Sequence, residues 1–375
     1  MVTISLCMIV KNEEQTLERC LTSVEGIPDE IVIVDTGSED ATKEIAHKFT
    51  SKVFDFVWID DFAAARNASF SYATMEYVIW LDADDVLLPE DRRKLLELKN
   101  SLSPTVDAVY MPYHTAFDGL GNVVQSVRRL RMVKRSKGYS WAGVVHEDLT
   151  PEGQYAYVNS DIAVTHQKPA GLGSSSRRNL SIYEKHFAGG RKMRPLDLFH
   201  YARELEEHGA VEKAVSYYNQ FLGTGAPDPS VAVYALDRLA RCYYRLGDLD
   251  KEWECTLRSL DFDVPRPEFS CRFGERFVQR NQFRQAIFWY ELALQNLGGN
   301  AEDQVSENYP FRTWLPHKQL GLCYYRIGDY QRSLEHNRAA RQHVTSDPDL
   351  DTNIRTLEKL ISESAEKPPG RLGRL

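Results

Sequence analysis

Three acidic residues in the stretch Asp82-Ala83-Asp84-Asp85 follow directly on the apolar run Val78-Ile79-Trp80-Leu81. Side chains of a strand alternate with period 2, so Asp82 and Asp84 are expected on one face, where two like charges need a cation between them. Hard carboxylate oxygens suit Mg²⁺ or Mn²⁺, and a divalent ion bridging carboxylate to diphosphate is a common way to handle an activated phosphate leaving group. Asp-x-Asp alone is a weak signal in a chain with 54 acidic residues. The apolar run ahead of it gives it a place in a fold. A second polar pair closes the run Trp141-Ala142-Gly143-Val144-Val145-His146-Glu147, where one residue can complete a metal shell while the other faces an acceptor. Gly171-Leu172-Gly173-Ser174-Ser175-Ser176, followed by Arg177 and Arg178, is either a linker or a lid whose arginines close over a diphosphate. The basic run from Arg128 to Arg135 is either a solvated strand face or part of a phosphate site.

The elements that must position these residues read as alternating strand and helix. Residues 3 to 10 are a continuous apolar run suited to a strand buried on both faces. A helix over 13–24 places Leu17, Leu21 and Val24 at helical spacing and is stopped by Gly26 and Pro28. The strand at 30–34 runs into Asp35-Thr36-Gly37-Ser38-Glu39-Asp40, where Gly37 permits a tight turn and Ser38 or Asp40 caps the helix over 41–49. A short strand over 53–59 and a helix over 63–73 precede the acidic stretch. This pattern predicts an α/β, doubly wound sheet with its polar residues at the strands' carboxyl ends, where such sheets bind ligands. Neither Gly-x-Gly-x-x-Gly nor Walker A is present, so a nucleotide here must have its phosphates neutralised by metal. Strands over 107–113, 126–133 and 155–165 read as a β-rich insertion.

From residue 195 the pattern becomes helical and repetitive. Cys242-Tyr243-Tyr244-Arg245-Leu246-Gly247-Asp248 recurs as Cys323-Tyr324-Tyr325-Arg326-Ile327-Gly328-Asp329, and helix-turn-helix units centre on Gly209, Gly247, Asn281 and Gly328. With Ala214, Ala286 and Ser333 as small packing residues, the units resemble tetratricopeptide repeats, whose period is about 34 residues. Such units bury their apolar faces by stacking and present a curved surface to an extended peptide or a second subunit, which leaves a homodimer open. Tyr217, Tyr218, Trp253, Trp289 and Tyr290 read as stacking core. The expected organisation is 1–170 catalytic, 171–194 linker or lid, 195–362 repeats and 363–375 a disordered tail.

A formal charge of −8 argues against a dedicated nucleic-acid binder. Met1 to Val10 lacks a basic leader and reads as a strand, and no stretch approaches the ~18 apolar residues of a transmembrane helix, so a soluble cytoplasmic protein is expected. Six cysteines without any C-x-x-C pair read as reduced thiols.

Ile4 to Glu14, Val34-Asp35-Thr36-Gly37-Ser38 with Asp40, Phe62-Ala63-Ala64-Ala65-Arg66-Asn67, Leu81-Asp82-Ala83-Asp84 and Trp141 to Glu147 together resemble the inverting family 2 glycosyltransferases of GT-A fold. The resemblance covers roughly the first 170 residues and implies a nucleotide-sugar donor, in the first instance a UDP-sugar. By that resemblance Asp35 bonds the base, Glu13 and the backbone near Val10 line its pocket, Arg66 holds base or ribose, Asp82 touches ribose and Asp84 ligates the metal. The His146-Glu147 pair is similar to that of a subgroup containing bacterial core-oligosaccharide β-glucosyltransferases and the S-glycosyltransferases of sublancin-type bacteriocins. The latter also carry tetratricopeptide-like helices, which points to a peptide acceptor held by the repeats. Inversion needs one base; Glu147 is the first choice, with Asp148 or Asp85 as replacements, and His146 becomes a further metal ligand. A glycan acceptor and an inactive repeat scaffold stand as alternatives.

Overall fold

The computed structural model describes residues 1–117, 119, 121, 123–167, 177–190, 192–225, 228–295, 309–344 and 347–365. The Gly171 to Ser176 stretch, most of the 298–310 loop and the tail past residue 365 lie outside the described residues. In chain order the first part comprises β1 (Ile4–Val10), α1 (Leu17–Ser23), β2 (Glu30–Asp35), α2 (Thr42–Phe49), β3 (Val53–Asp55), α3 (Phe62–Ser71) and β4 (Tyr77–Trp80). There follow β5 (Asp85–Val86), α4 (Pro89–Ser101), β6 (Ala108–Phe117), β7 (Val123–Lys134), β8 (Ser140–Ala142), β9 (Asp148–Thr150), β10 (Tyr157–Asn159) and β11 (Val164–His166). One mixed sheet runs in the order β3-β2-β1-β4-β7-β6-β11-β5, with β10 also on β6; its first four strands are parallel, and β7 is antiparallel to β4.

The parallel half explains why its strands read as unbroken apolar runs. Ile4, Leu6, Met8 and Val10 face one core, with Leu17, Leu21 and Leu95 from α1 and α4, while Cys7 and Val78 face the other with Ala108 and Val133. Both faces are therefore dry. The stretch expected as a separate insertion instead extends this same sheet through β6, β7 and β11. Residues 155–165 form two short strands, and α4, unmarked in the sequence reading, covers one face. The first helix begins at Leu17 because Asn12 takes a left-handed conformation (φ 55°) and the Thr16 hydroxyl bonds the Glu13 carboxylate at 2.5 Å, holding residues 11–16 as a loop.

At the opposite edge of the parallel strands Glu30 is buried between Lys52, the Ser5 hydroxyl and Thr74, whose N–H and hydroxyl both donate at 2.8 Å. Burial opposes its charge, but these partners hold the carboxyl at about 2. A depressed carboxylate stabilises the fold above its unfolded pKa of about 4.3 and ceases to do so as pH falls toward 2. Glu30→Gln should therefore flatten the fall in unfolding free energy between about pH 4.5 and pH 2, measured by urea titration at each pH; an unchanged slope would remove Glu30 from that role.

The helical part comprises α5 (Arg178–Ala188), α6 (Pro195–Glu207), α7 (Val211–Gly223), α8 (Pro229–Arg245), α9 (Leu249–Arg258), α10 (Pro267–Gln279), α11 (Phe283–Gln295), α12 (Tyr309–Arg312), α13 (Trp314–Arg326), α14 (Tyr330–Arg341) and α15 (Pro348–Ala365). The pairs α6/α7, α8/α9, α10/α11 and α13/α14 turn at Gly209, Gly247, Asn281 and Gly328, each in the left-handed region (φ 81°, 76°, 58° and 83°). Each turn is closed by the same kind of backbone bond: Ala210 N–H to Leu205 O, Asp248 to Tyr243, Gln282 to Phe277 and Asp329 to Tyr324, at 2.8 to 3.0 Å. Ala214, Ala286 and Ser333 are fully buried, and Phe273 stacks on Trp289 at 4.2 Å. The repeated turn is thus a backbone device that needs Gly or Asn at one position.

Two compact units divide the chain, the first holding Met1–Ala116 and Gln125–Ala226 and the second Phe117–Val124 together with the helices from α8 onward. The first unit thus takes in the first helical pair together with the sheet. No helix among the described residues is long and apolar enough to cross a membrane.

Candidate active site

The carboxyl ends of β1 and β4 open onto a cavity of about 580 Å³, lined among others by Val10, Glu13, Trp58, Asp82, Asp84 and Glu147. That volume suits a small ligand or cofactor. Its first wall is made of the loops after β1 and β2, stitched by reciprocal bonds. The Ser38 hydroxyl accepts from Asn12 N–H at 2.9 Å, the Thr42 hydroxyl from Glu13 N–H at 2.7 Å, and Asn12 Oδ1 from Glu39 N–H at 2.8 Å. Asp40, not Ser38, supports the start of α2, through Thr42 N–H at 3.0 Å. Asp35 is fully buried; its Oδ1 accepts from Gly37 and Ser38 N–H at 2.9 Å, and its Oδ2 has no hydrogen-bond partner among the described residues. Burial first, then Asp84 and Asp82, raise the Glu13 carboxyl.

α3 ties the two polar motifs together. Phe62 N–H donates to Val144 O at 3.0 Å, and Asn67 clamps the Trp141 backbone with a bond each way at 2.9 and 2.8 Å. Between them Arg66 reaches Asp82 Oδ1 at 2.7 Å and the Glu147 carboxylate, with Trp80 and Trp141 at 4.8 and 4.9 Å from its guanidinium carbon. Burial opposes the Arg66 charge, but Asp82 and Glu147 hold it well above the ordinary value. Arg66, expected to hold base or ribose, is committed to these two carboxylates.

Strand alternation does not place the acidic cluster, because β4 ends at Trp80. Asp82 and Asp84 sit on a turn closed by Asp85 N–H to Asp82 O at 3.0 Å, and the turn brings both into the cavity lining. Asp85 points inward: fully buried, it accepts from Asp82 N–H at 3.0 Å and pairs at 3.0 Å with Arg131, also fully buried and stacked 3.8 Å from the Trp80 ring. Asp85 therefore braces the turn and is out of reach as a base for an acceptor. Asp148 lies on β9 and takes no part in the lining.

His166, at the end of β11, completes the acidic group. Its Nδ1 lies 3.3 Å from Asp84 and 3.5 Å from Asp85, and 2.9 Å from the Tyr113 hydroxyl. Burial works against its proton, but Asp84 and Asp85 push its pKa up to about 9. One ligand atom from each of Asp84, Asp85 and His166 lies within 4.8 Å of the others. Two carboxylates and an imidazole are a donor set that fits Mg²⁺ or Mn²⁺. His146, expected at this ion, is turned away: its Nε2 is 2.7 Å from Glu204 on α6. Arg178 lines the cavity and lies over Phe62 at 4.9 Å, whereas the exposed Arg177, just before α5, does not. Of the basic run, Arg129 reaches the cavity and Arg131 is the buried brace; Arg128 donates to Ser160 O at 2.9 Å.

Residues 5–144 match the family described as Glycosyl transferase family 2. The sheet unit carries a family 2 glycosyltransferase domain. The chain is 29% identical over 224 residues to the SPbeta prophage-derived glycosyltransferase SunS of Bacillus subtilis, covering 57% of this chain and 52% of SunS. It is 29% identical over 157 residues to the lipopolysaccharide core biosynthesis glycosyltransferase LpsC of Rhizobium meliloti, covering 40% of this chain and 58% of LpsC. A TPR repeat-containing protein of Synechococcus elongatus is 42% identical over 109 residues, 28% of this chain and 27% of that protein. The chain thus spans between about a quarter and just over half the length of these relatives. Among solved structures, a thermophilic TPR protein of Thermus thermophilus aligns with 48% of this chain and 90% of its own at 15% identity, with a TM-score of 0.33.

Trp58, Tyr113, His166 and Asn179 line the cavity and Glu204 holds one of its lining residues, and none of the five was expected there from the sequence. His166 carried a signal, an apolar strand ending in a ligand residue, as the acidic turn does. Glu204 carried none, lying on an amphipathic helix with the look of a repeat.

Proposed function

We propose that this chain is a metal-dependent, inverting glycosyltransferase that moves a hexose from a UDP-sugar, UDP-glucose in the first instance, to a cysteine or serine side chain of a peptide. The observation that carries the reading is the Asp84, Asp85 and His166 group, within 4.8 Å, opening beside a cavity lined by Glu13 and Asp82. Asp84 and His166 would hold the ion, which when bound supplies a positive charge to the departing diphosphate. Asp35, buried behind the lining residues Val10, Glu13 and Thr36 and with its Oδ2 unpartnered among the described residues, would take a ring N–H of the base, Asp82 meets ribose, and Arg178 faces the diphosphate. A peptide acceptor is supported by the helical pairs and by the resemblance of the His146-Glu147 pair to that of the sublancin-type S-glycosyltransferases; a thiol of pKa about 8.5 ionises more readily than a hydroxyl. A nucleotide-sugar donor suits a cytoplasmic location.

A thermal-shift panel of UDP, UDP-glucose and other nucleotide sugars, with and without Mn²⁺, tests the donor, followed by mass spectrometry of cysteine- and serine-containing peptides. Stabilisation by UDP only when Mn²⁺ is present is the expected result. No shift from any nucleotide sugar would sink the reading. A glycan acceptor is the second reading, favoured by the likeness to LpsC; transfer to a lipopolysaccharide core with none to peptides would select it.

A further inference from the structure

His146 and Glu204 make up a second carboxylate–imidazole pair at the cavity, apart from the metal and donor contacts. His146 holds a backbone conformation that non-glycine residues seldom adopt (φ 52°), and its Nε2 is fixed 2.7 Å from Glu204 Oε1. Asn179 Nδ2 donates to the same oxygen at 3.2 Å, and the Glu204 side chain is only 3% exposed. The imidazole lines the cavity, 27% exposed, and its Nδ1 bonds nothing among the described residues. Glu147, by contrast, is spent on Arg66, whose other carboxylate partner is Asp82. Protonating Glu147 would remove compensation from a buried guanidinium.

We propose that His146, positioned by Glu204, takes the acceptor's proton, and that Glu147 is the strut that holds Arg66. This rests on the reading of the cavity as a site of glycosyl transfer. As the acceptor oxygen or sulfur bonds the anomeric carbon, its proton passes to His146 Nδ1. The bond from that carbon to the diphosphate oxygen breaks, and its electron pair leaves with the nucleoside diphosphate. Glu204 accepts only, so it fixes the Nε2–H tautomer, keeps the Nδ1 lone pair available and stabilises the imidazolium that forms. His200, stacked on His146 at 4.9 Å, is kept neutral by burial, and neither of its ring nitrogens bonds Glu204.

The test uses full-length protein labelled with ¹⁵N in its histidine rings, with His146→Asn to assign the resonance. Long-range ¹H–¹⁵N spectra should show the Nε2–H tautomer in the wild type and a move to Nδ1–H in Glu204→Gln, whose amide can donate to Nε2. With UDP-glucose and Mn²⁺ as the probe and water as acceptor, His146→Asn and Glu204→Gln should each slow hydrolysis by about 10²-fold or more. UDP affinity in the presence of Mn²⁺, read by calorimetry, should stay at the wild-type value in both. An Nδ1–H tautomer in the wild type, wild-type hydrolysis in Glu204→Gln, or loss of UDP affinity together with hydrolysis would each overturn the proposal. Wild-type protein that takes up no UDP with Mn²⁺ sinks glycosyl transfer itself, a result distinct from variants that bind UDP and hydrolyse normally, which sinks only the dyad.

Discussion

Asp84→Ala should lose Mn²⁺-dependent UDP binding by about 10²-fold and donor turnover by about 10³-fold, with its unfolding midpoint little changed. Of the three carboxylates on the acidic turn, Asp82 is engaged by Arg66 and Asp85 by Arg131 and the Asp82 backbone. Asp84 alone reaches the cavity without a guanidinium partner, its side chain 20% exposed beside His166. Removing it leaves His166 to hold an ion with a carboxylate that is already committed. Calorimetric titration of UDP into wild type and variant, with Mn²⁺ and with EDTA, reads the effect directly. Equal UDP affinity in all four titrations would mean that the turn binds no ion.

The largest loss of stability is expected from Arg131→Met. Arg131 and Asp85 are both fully buried at 3.0 Å, and the guanidinium also lies 3.8 Å from the Trp80 ring and 4.4 Å from Tyr113. Breaking a buried pair by removing one partner strands the other charge and costs about 3–5 kcal/mol. For a unit of this size that is a fall of roughly 10 °C in Tm. Asp85→Asn/Arg131→Met should recover part of it, since the stranded charge is gone and the amide oxygen of the substituted side chain can still accept from Asp82 N–H. Urea unfolding of the two variants decides the matter; a single variant within about 1 kcal/mol of wild type would show the pair to be dispensable.

How far the sequence disclosed all this differs by element. The parallel strands were legible because both their faces are buried, which leaves continuous apolar runs, and the helical pairs because their turns demand Gly or Asn in one backbone conformation. The five motifs were found where they are, but their division of labour was not. Asp82 and Asp84 share the cavity through a turn and not through strand alternation, Arg66 and Glu147 neutralise each other, and His166 stands where His146 was expected. Those assignments depend on pairings between residues far apart in the chain, Arg66 with Glu147 or His146 with Glu204. Local pattern carries no trace of a partner beyond the next few turns. The shortened α1 has a nearer cause, since Asn12 and Thr16 reroute the backbone by side-chain bonds that compete with helix.

Because α6 contributes the carboxylate that holds His146, an exchange of helices should begin no earlier than α8. A chimera that swaps the helical array between relatives should keep residues up to the end of α7 from the donor of the sheet. A graft made at residue 195, where the repeat pattern first shows, would carry away part of the catalytic half.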